Sequence, residues 1–397
     1  MNYARVFAAL NLMLLLTACG GGDGALPAVP VAPLAPVSSV EGVASKGLIA
    51  GGTVKVYAVS AAGVKQSLLS ETKTDAKGHY IITIGNYAGA VLVEVTGGSY
   101  EDEATHKTVE NSTTVPLRAL YPDVAPGTTT LQVTPLTELA AVRVGSSMTP
   151  TAIRDANSLV SKVMKVEILS TAPVAMTATA FTAAGVSQAQ RDYSLMLAAV
   201  SQLMLTTGST LEATLASLNN GLSSSSGMSE PTGNALSGAL TTYVAANTAQ
   251  TGVTTAPPSL QNLGTVTKKL TVSLNTSNAS SVQAISAVMT LPAGLLLSAD
   301  TAGVPAGSAL SLAGSSAAAK NITYAAKYVA AAGASPATIT ISLLAPEGGL
   351  TEGGDIITIT CNVALGATAP AASAVALKTE FKDLNGAVLT GPTLSVY

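Results

Sequence analysis

Residues 53–59 read Thr-Val-Lys-Val-Tyr-Ala-Val, and residues 74–84 read Thr-Asp-Ala-Lys-Gly-His-Tyr-Ile-Ile-Thr-Ile. In the first stretch Val54, Val56 and Ala58 alternate with Lys55 and Tyr57. In the second Tyr80, Ile82 and Ile84 alternate with Ile81 and Thr83. A period of two places successive side chains on opposite faces and marks half-buried strands. At the start of the second stretch Asp75 is placed to close an Asx turn, Gly78 supplies a positive φ, and Tyr80 enters the core strand. Working outward, Val91, Val93 and Val95 alternate with Leu92 and Glu94, and Ala61-Ala62-Gly63 and Ala88-Gly89 supply further turns. Several short strands at regular spacing predict a β-sandwich over residues 39–129.

Within that stretch, Gly42-Val43-Ala44-Ser45-Lys46-Gly47, the strand at 54–59 and the turn Thr74-Asp75-Ala76-Lys77-Gly78-His79-Tyr80 resemble the carboxypeptidase regulatory-like, or prealbumin-like, β-sandwich. That domain is not the peptidase, so the resemblance implies a structural or binding module.

From 130 to 251 the period lengthens. Thr149 can cap a helix with Pro150 at its first position, and Ile153, Ala156, Val160, Val163 and Met164 line one face. Ser187 with Gln190 forms a capping box before Tyr193, Met196, Val200 and Leu203. Ser209 with Glu212 forms another before Leu211, Leu215 and Leu218, with Gly221 as a stop. Leu236, Leu240, Tyr243 and Val244 predict a further helix. The segment Thr134-Pro135-Leu136-Thr137-Glu138-Leu139-Ala140 is similar to one that often follows this sandwich in bacterial surface lipoproteins, and no chemistry attaches to it.

A linker at 252–266 holds Pro257-Pro258, and residues 267–397 return to a period of two. Leu270, Val272 and Leu274, then Ile339, Ile341 and Leu343, then Ile357, Ile359, Cys361 and Val363 alternate with Thr, Ser and Asn. The strand at 339–343, the Leu350-Thr351-Glu352-Gly353-Gly354-Asp355 turn and the strand at 357–363 resemble the cohesin-like sandwich, a jelly roll shared with several carbohydrate-binding modules. The predicted architecture is therefore mainly β with a helical middle: two antiparallel β-sandwiches, prealbumin-like and cohesin-like, flanking a small α-helical domain.

The N-terminus carries an address. Arg5 precedes an apolar run over 6–16, too short for a spanning helix, which needs about 20 residues. It reads as a signal peptide over 1–18. Leu16-Thr17-Ala18-Cys19 resembles the lipobox of bacterial lipoproteins, which implies that the Cys19 thiol takes a diacylglyceryl group, including palmitate, and becomes the first residue. Two or more acyl chains anchor stably where one binds only marginally. Residues 19–38 then form a lipid-anchored flexible linker, with Gly20–Gly22 as tether and prolines 27, 30, 33 and 36 as a semi-rigid polyproline II spacer. Asp23 does not directly follow Cys19, which favours the outer membrane or cell surface over inner-membrane retention. The expected location is extracytoplasmic, with the membrane reached through the lipid.

Composition narrows the chemistry. The chain has 397 residues, a net charge of −3, two His, two Cys, three Phe and no Trp, with 10% charged residues where a soluble domain has roughly 25%. That balance excludes a nucleic-acid partner recognised through a basic patch. No Cys-x-x-Cys-His, P-loop, Gly-x-Ser-x-Gly or His-Glu-x-x-His occurs. His79 is expected at a surface turn. The run Tyr100-Glu101-Asp102-Glu103-Ala104-Thr105-His106-Lys107 is expected as a solvated acidic loop; its carboxylates could attract Ca²⁺, but they lack the alternating spacing of an EF-hand loop. Asp383-Leu384-Asn385-Gly386 could be a truncated calcium loop and reads better as a type I′ hairpin turn. Cys361 is expected to be a buried small hydrophobe, with no disulfide in the chain.

No metal, cofactor or catalytic residue is expected, and the chain is read as a non-enzyme. The expected function is a non-catalytic binding, adhesion or scaffold module whose partner is an unknown extracellular protein. The alternative is polysaccharide binding by the last domain, with Tyr324 and Tyr328, four apart on one strand face, as the aromatic pair a sugar would need.

Overall fold

The computed structural model describes residues 37–276, 281–313, 322–345 and 348–397. Cys19 and the leader, tether and proline-rich segments lie outside the described residues.

Nine strands come first: β1 (Ser38–Val43), β2 (Thr53–Val59), β3 (Lys65–Lys73), β4 (His79–Thr83), β5 (Gly89–Thr96), β6 (Ser99–Glu101), β7 (Thr108–Glu110), β8 (Leu117–Val124) and β9 (Gly127–Thr130). They form a four-stranded sheet, β3-β2-β5-β8, facing a three-stranded sheet, β4-β1-β9, with β6–β7 as a separate hairpin. Val54, Val56, Val93, Val95, Tyr80 and Ile82 fill the space between the sheets. The turn into β4 forms as its sequence dictates. Asp75 Oδ1 accepts from the N–H groups of Lys77 and His79, Gly78 has φ 75°, and Tyr80 donates its hydroxyl to Leu131 O.

Seven α-helices follow among the described residues: α1 (Pro135–Val144), α2 (Pro150–Met164), α3 (Ala178–Phe181), α4 (Gln188–Thr207), α5 (Leu211–Gly221), α6 (Glu230–Ala246) and α7 (Thr248–Thr251), with a two-residue ladder of β10 (Leu222–Ser223) and β11 (Gly227–Met228) between α5 and α6. The Thr149 cap, the Ser187–Gln190 box and the helix through Leu236 and Tyr243 are present. Three readings change. The Thr134–Ala140 segment is the start of α1, capped by Thr134, whose side chain accepts from the backbone of Leu136 and Thr137. The cap of α5 is Thr210 rather than Ser209, because Thr210 accepts from Ala213 N. And α4 is buried on all sides from Asp192 to Leu203 rather than along one stripe, since other elements enclose it.

The helices also cover the first sandwich. Leu92 and Leu120 on the outer face of the four-stranded sheet pack with Ala141 and Ile153 of α1 and α2. Strand β5 is therefore buried on both faces at Ala90–Val93, a pattern that simple alternation does not anticipate. No single described helix is long and apolar enough to cross a membrane.

The last ten strands are β12 (Thr267–Asn275), β13 (Ala284–Thr290), β14 (Leu295–Leu296), β15 (Leu310–Leu312), β16 (Thr323–Val329), β17 (Thr338–Leu344), β18 (Gly354–Val363), β19 (Ala376–Lys382), β20 (Val388–Leu389) and β21 (Thr393–Val396). One sheet runs β14-β18-β12-β21, with β15 also on β18; the other runs β16-β17-β13-β19-β20. Leu270, Ile285, Ile339, Ile341, Ile359 and Cys361 lie between them in an apolar core continuous with that of the helices. The β19–β20 hairpin exists, but its turn is not type I′. Only Gly386 enters the left-handed region, at φ 80°, while Asp383 Oδ1 accepts from Asn385 and Ala387 N–H. A type I turn followed by a left-handed glycine satisfies the same residues.

Candidate functional site

Two places collect chemistry. The first is a charged seam between the first sandwich and α4. The loop after β1 turns through Gly47, at φ 87°. A Cβ there would stand 1.8 Å from Glu101 O, so only glycine lets this loop meet the β6–β7 hairpin. That approach buries Lys46. Its Nζ donates to Asp102 Oδ2 at 2.8 Å and to Ser201 Oγ at 3.2 Å, and lies 5.0 Å from the centre of the Tyr100 ring. Asp102 Oδ1 accepts from Ala104 N–H, Thr105 N–H and the Thr105 hydroxyl at 3.0–3.2 Å. Ser201, from the middle of α4, donates to Glu103 Oε2 at 2.7 Å. His106, at φ 54°, pairs through Nε2 with Asn247 Oδ1 at 2.7 Å.

The acidic run is thus solvated only in part: Glu101 and residues 105–107 are exposed as expected, and two of its carboxylates are not. Asp102 and Glu103 are buried, at 9% and 5% exposure, because the turn is pressed against α4 and α6. Where a cation was conceivable, Asp102 holds the Lys46 ammonium instead, and no group of three metal-ligating side chains occurs among the described residues. Burial alone would lower the Lys46 pKa, but the neighbouring Glu103, Tyr100 and Asp102 outweigh it and raise it. Burial opposes ionisation of Asp102, yet its bonds from Lys46 and Thr105 hold it below the usual range. Glu103 is pushed up by burial, which Lys46 and the Ser201 hydroxyl only partly offset.

A cavity of about 310 Å³ adjoins the seam, lined among others by Ser45, Tyr100, Glu103, His106, Met176 and Thr177. Neither Lys46 nor Ser201 lines it. Ser201 gives its proton to Glu103, and Lys46 is charged, so the pair is not arranged as nucleophile and base. A second ion pair ties the same two layers. Arg118 of β8 binds Glu138 of α1 through Nε at 3.0 and 3.1 Å and through Nη2, and its backbone N–H adds a 2.7 Å bond.

The second place is the outer face of the sheet β16-β17-β13-β19. Register sets Thr323, Leu344, Ala284 and Lys382 in one row, Ala325, Ser342, Ser286 and Glu380 in the next, and Lys327, Thr340, Val288 and Lys378 in a third. The two central strands offer only Thr, Ser, Ala, Val and Leu here, and the charges stand on the flanking strands. A shallow depression of about 450 Å³ lies over Ser286, Ser342, Leu344 and Tyr324. Tyr324 is 39% exposed and donates its hydroxyl to Leu310 O. Tyr328 is buried at 8%, within the core. The structure therefore does not present the two rings as a joint platform. Strand alternation gave them one direction, but the chain folds over the Tyr328 end, where Tyr328 N–H donates to Gly303 O.

His79 is at an exposed turn, 3.6 Å from Asp75. Cys361 is a free, buried thiol whose pKa burial pushes up to about 12. Sequence reasoning missed the seam. Its available signals were Lys46 among Ala, Ser, Gly and Leu, and Ser201 inside an apolar helix, both out of place in a chain so poor in charge.

No protein-family model matches the chain, and no curated protein matches it. Among solved structures it is similar to a non-cellulosomal cohesin from the hyperthermophilic archaeon Archaeoglobus fulgidus, at 15% identity and a TM-score of 0.20, over 31% of this chain and 72% of the cohesin. The class that the fold itself defines is a mainly β, sheet-rich protein with seven helices among the described residues.

Proposed function

We propose that this chain is a non-catalytic binding or scaffold protein, lipid-anchored through Cys19 outside the cytoplasm, and that it engages a protein partner through the outer face of β16-β17-β13-β19. The observation that carries the reading is the uncharged centre of that face, Thr340, Ser342, Ser286 and Val288, bordered by Lys327, Lys378, Glu380 and Lys382. Interface cores are depleted of charge and their rims are polar. The lipobox-like Leu16–Cys19 and the proline-spaced tether support presentation of this face away from a membrane. The division into two sandwiches around helices, with the last one cohesin-like, belongs to the same reading. Polysaccharide binding loses its main support with Tyr328 buried and Tyr324 alone at the surface.

The test is photo-cross-linking on intact cells, with a photoreactive residue in place of Ser342 or Ser286 and, as control, of the exposed Ser217 on α5. One adduct of constant mass from both face positions and none from Ser217 is expected. No adduct from either face position would overturn the assignment of this face.

A further inference from the structure

The cavity of about 310 Å³ beside the seam lies among the β1–β2 loop, the β6–β7 hairpin, residues 174–177 and α4. Two carboxylates line it, Glu101 and Glu103, and no Lys or Arg does. Glu103 is 5% exposed. Its Oε2 accepts from Ser201, and among the described residues no other residue donates to Oε1. Lys46 gives its ion pair to Asp102 instead. An acceptor left open in a buried group is costly, and burial raises the Glu103 pKa more than Lys46 and Ser201 lower it. This wall lacks positive charge. Closer to solvent stand His106 Nδ1 and Glu101 Oε1, 3.7 Å apart, too far for a bond between them. Asn247 fixes the His106 tautomer: its Nδ2 donates to Tyr243 O, so its Oδ1 accepts from Nε2–H, and Nδ1 of the neutral ring is left as an acceptor. These groups do not converge with Glu103 on one point, since no three-ligand group occurs among the described residues. They make two acceptor positions, one buried and one facing solvent, in a cavity whose wall also carries Met176 and Leu197.

We propose that this cavity binds a short aliphatic diammonium, with one amine on Glu103 and the other between Glu101 and His106. An ammonium carries three donors and no acceptor, which suits a wall that offers carboxylates and an unprotonated ring nitrogen. The inner amine supplies the open Glu103 oxygen with a charged donor. The outer amine donates to Glu101 and to His106 Nδ1. The methylenes between them rest on Met176 and Leu197. A monoamine leaves one position empty, and an alcohol of the same length brings no charge to either. The volume sits at the small end of ligand pockets, which run from about 300 to 1,000 Å³. Neither the lipid anchor nor the outer face of the last sandwich enters this reading.

Isothermal titration calorimetry of the full chain with the α,ω-diamines of butane, pentane and hexane tests this, with pentylamine and pentanol as matched probes. At least one diamine is expected to bind one to one with half-saturation below about 1 mM. It should bind about five- to tenfold more tightly than pentylamine, the weight of a charged contact near solvent, and pentanol should not saturate. Glu103→Gln weakens diamine and pentylamine alike, by about tenfold or more. Glu101→Gln instead removes most of the diamine's advantage over pentylamine. No saturable binding of any diamine up to about 10 mM, or pentanol binding as tightly, would overturn the proposal. Unchanged diamine affinity in Glu101→Gln would overturn it too, and that exposed side chain keeps the test open should Glu103→Gln fail to fold.

Discussion

Ser201 Oγ donates to Glu103 Oε2 at 2.7 Å and accepts from Lys46 Nζ at 3.2 Å, so one hydroxyl in the middle of a buried helix ties together an acid and a base from two separate loops of the first sandwich. Ser201→Ala removes both bonds and leaves Glu103 buried without that donor. An unsatisfied buried group costs about 1–3 kcal/mol. Lys46→Met strands Asp102 and is expected to cost about 3–5 kcal/mol, as breaking a buried pair does. Urea midpoints at constant m check both; losses under 0.5 kcal/mol would mean the seam is solvated after all.

Arg118 and Glu138 join the edge of the four-stranded sheet to α1. Arg118 is 34% exposed, so its removal costs less than in a dry core, about 1–3 kcal/mol for Arg118→Met. Adding Glu138→Gln in the same chain should recover part of that loss, because the uncompensated carboxylate is then gone. A double-mutant cycle reads the coupling, and strictly additive losses would show that the pair does not act as a unit.

Lys165 caps α2 and reaches the last sandwich, donating to Thr265 O, Thr265 Oγ1 and Asn362 Oδ1. Burial lowers its pKa to about 8 from 10.5. Between these values the unfolded chain holds a proton that the folded chain has released, so stability rises with pH across pH 8 to 10.5. Lys165→Met should remove that rise. The check is the difference between wild-type and variant unfolding free energies at pH 7.5 and 10; a difference independent of pH contradicts the assignment.

Cys361 is fully enclosed, and burial raises its pKa to about 12. Thiolate is the reactive form. In a Cys19→Ser chain, a thiol reagent should modify Cys361 only after denaturant is added. Rapid modification of the native chain would place this strand at the surface instead.

Local sequence was sufficient where a local rule decides the structure. The Asx turn at Asp75, the Pro150 helix start and the Ser187 box each need only a few neighbouring residues, and all are present. Cys361 followed from its strand face alone. What escaped was set by contacts distant in sequence. The run 100–107 reads as exposed by composition, yet Lys46, 56 positions from Asp102, and Ser201, 98 positions from Glu103, enclose those two carboxylates. Tyr328 shares a face with Tyr324, but Gly303 closes over one and not the other. The helix at Pro135–Val144 is short and broken by no apolar stripe of its own; the two layers on either side of it supply its burial. Alternation identifies a strand's two faces without saying whether helices cover the second, so β5 reads as half buried while the structure buries both its faces at 90–93.

The proposed lipid anchor at Cys19 is tested most directly by metabolic labelling with palmitate in the producing cells. The wild-type chain should take up label, start at Cys19 and sediment with the outer membrane, whereas Cys19→Ser should stay unlabelled and keep its leader. An unlabelled wild-type chain, or one whose Cys19 is still preceded by residues 1–18, would contradict it.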